Sequence, residues 1–167
     1  MPSTAISDFA AWVATTPLSN FFGTHLWLIP ASQSIHYMAL AILFSSAAII
    51  DLHLLGLVRV HQSLSRTVQR FVPGIWIALV VMTLTGLLLL IAEPARSMTT
   101  WEFQSKMVML LCVIVLTLFM QRRVAAQSGG WGSSADVPVS ARLLAVVSLM
   151  LWLLIIVAGR WIAYHAG

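Results

Sequence analysis

Charge is scarce in this sequence. Of 167 residues only 8% are Asp, Glu, Lys or Arg, while 60% are hydrophobic. Soluble domains carry about a quarter charged residues, so a soluble globular domain is excluded. No Lys or Arg precedes Arg59. The opening stretch Met1–Thr16, MPSTAISDFAAWVATT, therefore lacks the positive region of a secretory leader. An uncharged or acidic head of this kind is readily translocated, so the N-terminus is expected outside. Cysteine occurs once, at Cys112, which rules out an intrachain disulfide. The sequence has no internal repeat and no interrupted pair of apolar segments, which argues against a secondary transporter. The net charge of +4 does not indicate a nucleic-acid partner, because Lys and Arg fall at the ends of apolar runs rather than along one basic face.

What the chain has in quantity is long apolar segments. The stretch Pro30–Arg59, PASQSIHYMALAILFSSAAIIDLHLLGLVR, reads as one helix about 43 Å long, the thickness of a bilayer with its headgroups. Pro30 suits a first helical turn. Three further runs of spanning length follow, giving expected spans at about 31–58, 74–92, 103–120 and 143–164. Pro73 is expected to open the second span, after a loop Val60–Arg70. Gln127–Ser134 (QSGGWGSS) reads as a flexible linker. Before the first span, Ser7–Thr15 reads as a short amphipathic helix. Leu18–Leu28 is too short to span, so residues 1–29 form an interfacial segment ahead of a single membrane domain, 30–167. Seven Trp fit anchoring at headgroup level.

The short loops make neighbouring spans antiparallel. The expected fold is all-α: an integral membrane up-down four-helix bundle with N-terminal interfacial helices. Arg59, Arg66, Arg70, Arg122, Arg123 and Arg142 fall on one side of it; Arg96, Lys106 and Arg160 fall on the other. The positive-inside rule places the first group in the cytoplasm and both termini outside, N-out and C-out. Ser45–Ala48 and Thr83–Gly86 are small-residue patches at membrane depth, where another helix or a second subunit can approach closely. A homo-oligomer is therefore expected.

Polar residues inside a membrane are costly and mark function by default. His36 lies near the outer edge of the first span and His53 near its inner edge, about 26 Å apart along a helix, so one metal cannot bridge them. His25 and His165 join His36 at the outer level, and His61 joins His53 at the inner level. Imidazole is a common axial ligand of haem iron. An outer haem b would take His36 with His165 or His25. An inner one would take His53 with His61, Met120 or a neighbouring subunit's residue. Arg160 stands where it can meet a haem propionate. Copper is the other candidate metal, held by His25, His36 and methionine thioethers. Each histidine also has a plainer reading, as a hydrogen-bonding residue at an interface. Asp51 reads as structural, with Arg122 or Arg123 as its neutralising partner, and Glu102 and Lys106 read as an i, i+4 pair.

The segments WLIPASQSIH, IIDLHLLGL, AEPARSMTTWEFQSKM and AGRWIAY together resemble a family of small four-span bacterial inner-membrane proteins. The resemblance covers nearly the whole chain after Leu18. It implies a multi-pass protein of the bacterial inner membrane, with both termini periplasmic, and singles out His36 within Pro30-x-x-Gln33-Ser34-x-His36. That family's pattern has Arg at the position of His53, so the resemblance gives His53 no ligand role. A weaker likeness to copper-resistance D proteins and to b-type cytochrome bundles rests on the edge histidines and on Phe103-x-x-Lys106. It implies one or two haems, or copper, and a redox partner beside the bilayer. A self-associating scaffold without a cofactor is the remaining expectation. The sequence indicates no substrate.

Overall fold

The structure is a computed structural model describing residues 4–58, 63–94, 98, 101–126 and 137–165, without the side chains of 4, 102, 121, 124–126 and 159–165. Its elements in chain order are α1 (Thr4–Ala14), α2 (Pro17–Thr24), α3 (Leu28–Leu54), α4 (Leu64–Ala92), α5 (Trp101–Ala126) and α6 (Val139–His165). No strand occurs among the described residues. Four segments are long and apolar enough to cross a membrane: Leu28–Leu54, Leu64–Ala92, Phe103–Met120 and Val139–Ala158.

The helix ends explain themselves locally. Thr16 caps α2 by accepting a hydrogen bond from the Ser19 N–H, and Pro17 occupies the first turn. At the end of α3, Gly56 takes a φ of 74°, the one described position with a left-handed backbone. The Gly56 N–H donates to the His53 carbonyl and the Leu57 N–H to that of Leu52, a Schellman closure. This turn stops α3 at Leu54, five residues before the expected Arg59. The second correction concerns α4, which begins at Leu64 rather than at Gly74 and carries Pro73 inside it. A membrane helix tolerates an internal proline when its surroundings satisfy the freed carbonyl. The reward for the longer helix is that Leu64 and Thr67, expected in a loop, become buried against α3 and its neighbours.

The spanning helices form two pairs. α3 packs most extensively on α4, and α5 on α6; the pairs join mainly along α3 and α6, and less closely along α4 and α5. Leu43, Val113, Trp152 and Ile155 fill the centre with Ala39, Ala47, Ile75, Ala78 and Met82. Outward-facing residues are just as apolar. Ile77, Val80 and Leu84 on α4 and Leu111 and Val115 on α5 are all exposed, which suits lipid rather than water as the surrounding medium. α1 and α2 dock on α4 through Ala10, Val13 and Phe22. They leave Phe9 and Trp12 exposed, and Trp27 is exposed just beyond them, as an interfacial segment requires.

The two small-residue patches are used within the chain. Ser46 and Ala47 are buried, and a Cβ on Gly74 would come within 3.7 Å of the Ser46 hydroxyl. At the other end of the same contact a Cβ on Gly86 would meet His36 Cε1 at 3.5 Å. These small side chains bring α3 and α4 together and set the depth at which the His36 ring lies.

Candidate functional site

His36 and His53 both project from α3 toward α4, and both find a threonine there. His36 Nδ1 lies 2.9 Å from Thr85 Oγ1, and His53 Nδ1 lies 3.0 Å from Thr67 Oγ1. Thr85 sends its own hydroxyl proton to the Val81 carbonyl at 2.8 Å. Its oxygen therefore accepts from His36 Nδ1–H. The Met82 carbonyl, which can only accept, also lies within hydrogen-bonding reach of the ring. At the other end Thr67 donates to the Ser63 carbonyl at 3.4 Å, and His53 Nδ1–H donates to Thr67. In each case the proton is held on Nδ1 and the lone pair is left on Nε2. Apart from the Met82 carbonyl at His36, no second hydrogen bond to either ring is found among the described residues; the His36 ring is half-buried and the His53 ring is buried. A histidine whose Nδ1–H is tied to a second group is oriented and made more basic at Nε2.

The remaining sequence candidates separate. His25 closes α2: its Nδ1 lies 3.1 Å from the Phe21 carbonyl and 3.0 Å from the Thr24 hydroxyl, and its ring stacks on Phe21 at 4.4 Å between centroids. It is exposed, and the helix it caps docks on α4. Met120 is buried among Leu54, Leu64 and Ala145 and lines a cavity at Asp51; His53 is not among the residues lining that cavity. His61 lies outside the described residues. His165 and Arg160 belong to α6, with their side chains outside the description. The expected Glu102–Lys106 pair also falls outside it, through Glu102. Among the described residues no group of three or more His, Cys, Asp or Glu is placed to hold a metal ion.

One expectation about charge is revised. Arg123 lies over the Phe119 ring at 4.8 Å and is exposed, as is Arg122, so neither neutralises Asp51. Asp51 instead takes a hydrogen bond from Ser148 on α6. Lys106, read from sequence as a helix-entry residue, is half-buried and within electrostatic reach of the His36 ring.

The spacing of the two threonines is itself a sign in the sequence. Thr67 and Thr85 are eighteen residues apart, five full turns, and so share one face of α4. Two hydroxyls aligned on a membrane helix have to face something polar. No such pattern announces Ser148, which is far from Asp51 in sequence.

Comparison with curated proteins gives no match, and comparison with solved structures gives none either. Residues 9–165, almost the whole chain, match the model of a family of unknown function, DUF6644. The chain therefore belongs to the DUF6644 family.

Proposed function

We propose that this protein is a b-type haem protein of the bacterial inner membrane that passes electrons between partners in or beside the bilayer. One observation carries the reading: two histidines at opposite ends of a spanning helix, each with Nδ1 hydrogen-bonded to a threonine so that Nε2 is left to carry the lone pair. That is the state in which imidazole ligates iron. When bound, haem supplies a one-electron couple whose potential depends on its axial ligands and surroundings. His36 would hold an outer haem and His53 an inner one. Lys106, within electrostatic reach of His36, would neutralise a propionate, the part expected of Arg160. The α3–α4 contact is tight at Gly86, so each haem would lie where Nε2 opens, at the edge of the bundle. Its second ligand would come from His165 or His25, or from a second copy of the chain. The basic loops assign the α3–α4 and α5–α6 turns to the cytoplasm and both termini to the periplasm.

The test is a visible spectrum of the detergent-purified protein, produced with ample haem and recorded oxidised and then reduced. A Soret band with a sharpened α band on reduction is expected, reduced in intensity by His36→Ala. Protein without any haem absorbance overturns the proposal. Metal analysis of the same sample, finding copper lost in His36→Ala, would move the reading to copper.

A further inference from the structure

The ends of α5 and α6 on the side of the basic loops border a second cavity. Its volume is about 50 Å³, more room than a single water needs, and it is lined by Met120, Arg123, Pro138, Ser140, Ala141 and Leu144. Four of these side chains are apolar. The other two carry polar groups that are left to bond. Arg123 is exposed and rests on the Phe119 ring at 4.8 Å; no acceptor meets its N–H donors among the described residues. Ser140 is exposed as well, and its hydroxyl has no partner among the described residues.

Charge at this end is unbalanced. From Phe103 onward the sequence has a single acidic residue, Asp136, which lies between α5 and α6 outside the described residues. Against it stand Arg122, Arg123 and Arg142. Apolar surface runs from the cavity toward the membrane interior. Counting back from Arg123 by helical turns reaches Phe119 and Val115, and counting on from Ser140 reaches Leu144 and Val147. Phe119, Val115 and Val147 are exposed. An occupant of the cavity therefore meets cations at headgroup level and apolar rows below them.

We propose that this cavity seats the headgroup of one anionic phospholipid, its phosphate held by Arg123 and Ser140 and its acyl chains laid along the exposed rows of α5 and α6. A guanidinium forks two N–H groups onto a phosphate, and basic pockets between membrane helices take acidic headgroups. The surplus of arginine selects a headgroup without a cation of its own, phosphatidylglycerol over phosphatidylethanolamine. The apolar walls select a lipid over free phosphate, which gains nothing from them. An arginine that only snorkels also reaches headgroup level, but it needs neither a cavity nor a hydroxyl beside it. The site includes neither His36 nor His53, and its test reads lipid rather than haem.

The experiment is native mass spectrometry of the full chain, released from detergent micelles carrying phosphatidylglycerol and phosphatidylethanolamine of equal acyl length. One phosphatidylglycerol per chain is expected to survive activation that strips phosphatidylethanolamine. Thermal unfolding in detergent should show a saturable rise of the midpoint with phosphatidylglycerol and none with sodium phosphate or glycerol 3-phosphate. Arg123→Ala should weaken phosphatidylglycerol binding about tenfold, the worth of one charged hydrogen-bonded contact, and Arg123→Lys should restore it only in part. Arg70→Ala is the control. Arg70 is exposed at the same end of the bundle, rests over Phe71 at 5.9 Å and lines neither cavity, so its loss should leave binding unchanged. Equal retention of the two lipids by the wild type overturns the proposal. So does a loss in Arg70→Ala equal to that in Arg123→Ala, the mark of a diffuse basic belt, and so does a midpoint raised as far by free phosphate as by the lipid.

Discussion

Replacing Thr85 with valine keeps the outline of the side chain and removes the hydroxyl that holds His36. In the wild type that hydroxyl accepts from Nδ1 across 2.9 Å and is itself anchored to Val81. Stranding a partly buried N–H costs about 1–3 kcal/mol in soluble proteins. Interhelical hydrogen bonds in membranes average about 0.6 kcal/mol, with the strongest near 1.7 kcal/mol. The Met82 carbonyl stands beside the ring and can take the proton instead. The expected loss of stability is thus about 0.5–1.5 kcal/mol, read by unfolding of the cofactor-free protein in mixed micelles. The effect on haem is larger, because loss of an outer partner weakens a ligating histidine about 10- to 100-fold. Haem titration of the apoprotein should show this weakening in Thr85→Val and its recovery in Thr85→Ser, which restores the oxygen. If Thr85→Val binds haem as tightly as the wild type while His36→Ala does not bind it, the orienting role given to Thr85 is wrong.

Gly56→Ala forces a side chain into the left-handed region at the Schellman turn; a loss of about 1 kcal/mol and fraying of α3 beyond Asp51 are expected, visible as faster amide exchange at Leu54 and Leu55. Trp152 is buried with its Nε1–H unpartnered among the described residues, so Trp152→Phe should be neutral or stabilising in the same unfolding assay, and a loss above about 2 kcal/mol would show that the indole N–H is satisfied. Alkaline phosphatase fused after Gly167 should be active and a fusion in the loop after Gly56 inactive; the opposite pattern would reverse the assigned orientation.

The membrane class and the number of spans were legible because an apolar run of eighteen residues or more has few other uses. The third span, expected at 103–120, lies within α5, which runs past it at both ends, Trp101–Ala126. The start of α4 was not legible, since Pro73 looks like a beginning to anyone who weighs only the backbone it deprives of a donor. What decides the matter is tertiary: Thr67, about two turns below the expected start, serves His53. Gly56 could have been read as a stop, but glycine is common inside membrane helices and a lone one is ambiguous. The histidines were visible as unusual residues, whereas their partners required knowing which face of α3 meets α4. Asp51 shows the limit most plainly. Its depth near the inner interface suggested an arginine from another span, Arg122 or Arg123, and packing supplied a serine from the last helix.

The bundle is built like an open book. Its spine is the line where α3 meets α6, and its loose fore-edge is the shallow contact of α4 with α5. Each histidine–threonine link lies within one cover, and the Asp51–Ser148 bond crosses the spine. Lateral squeezing by the bilayer would therefore be absorbed at the fore-edge, leaving the polar joints at their set spacing while the covers part or close.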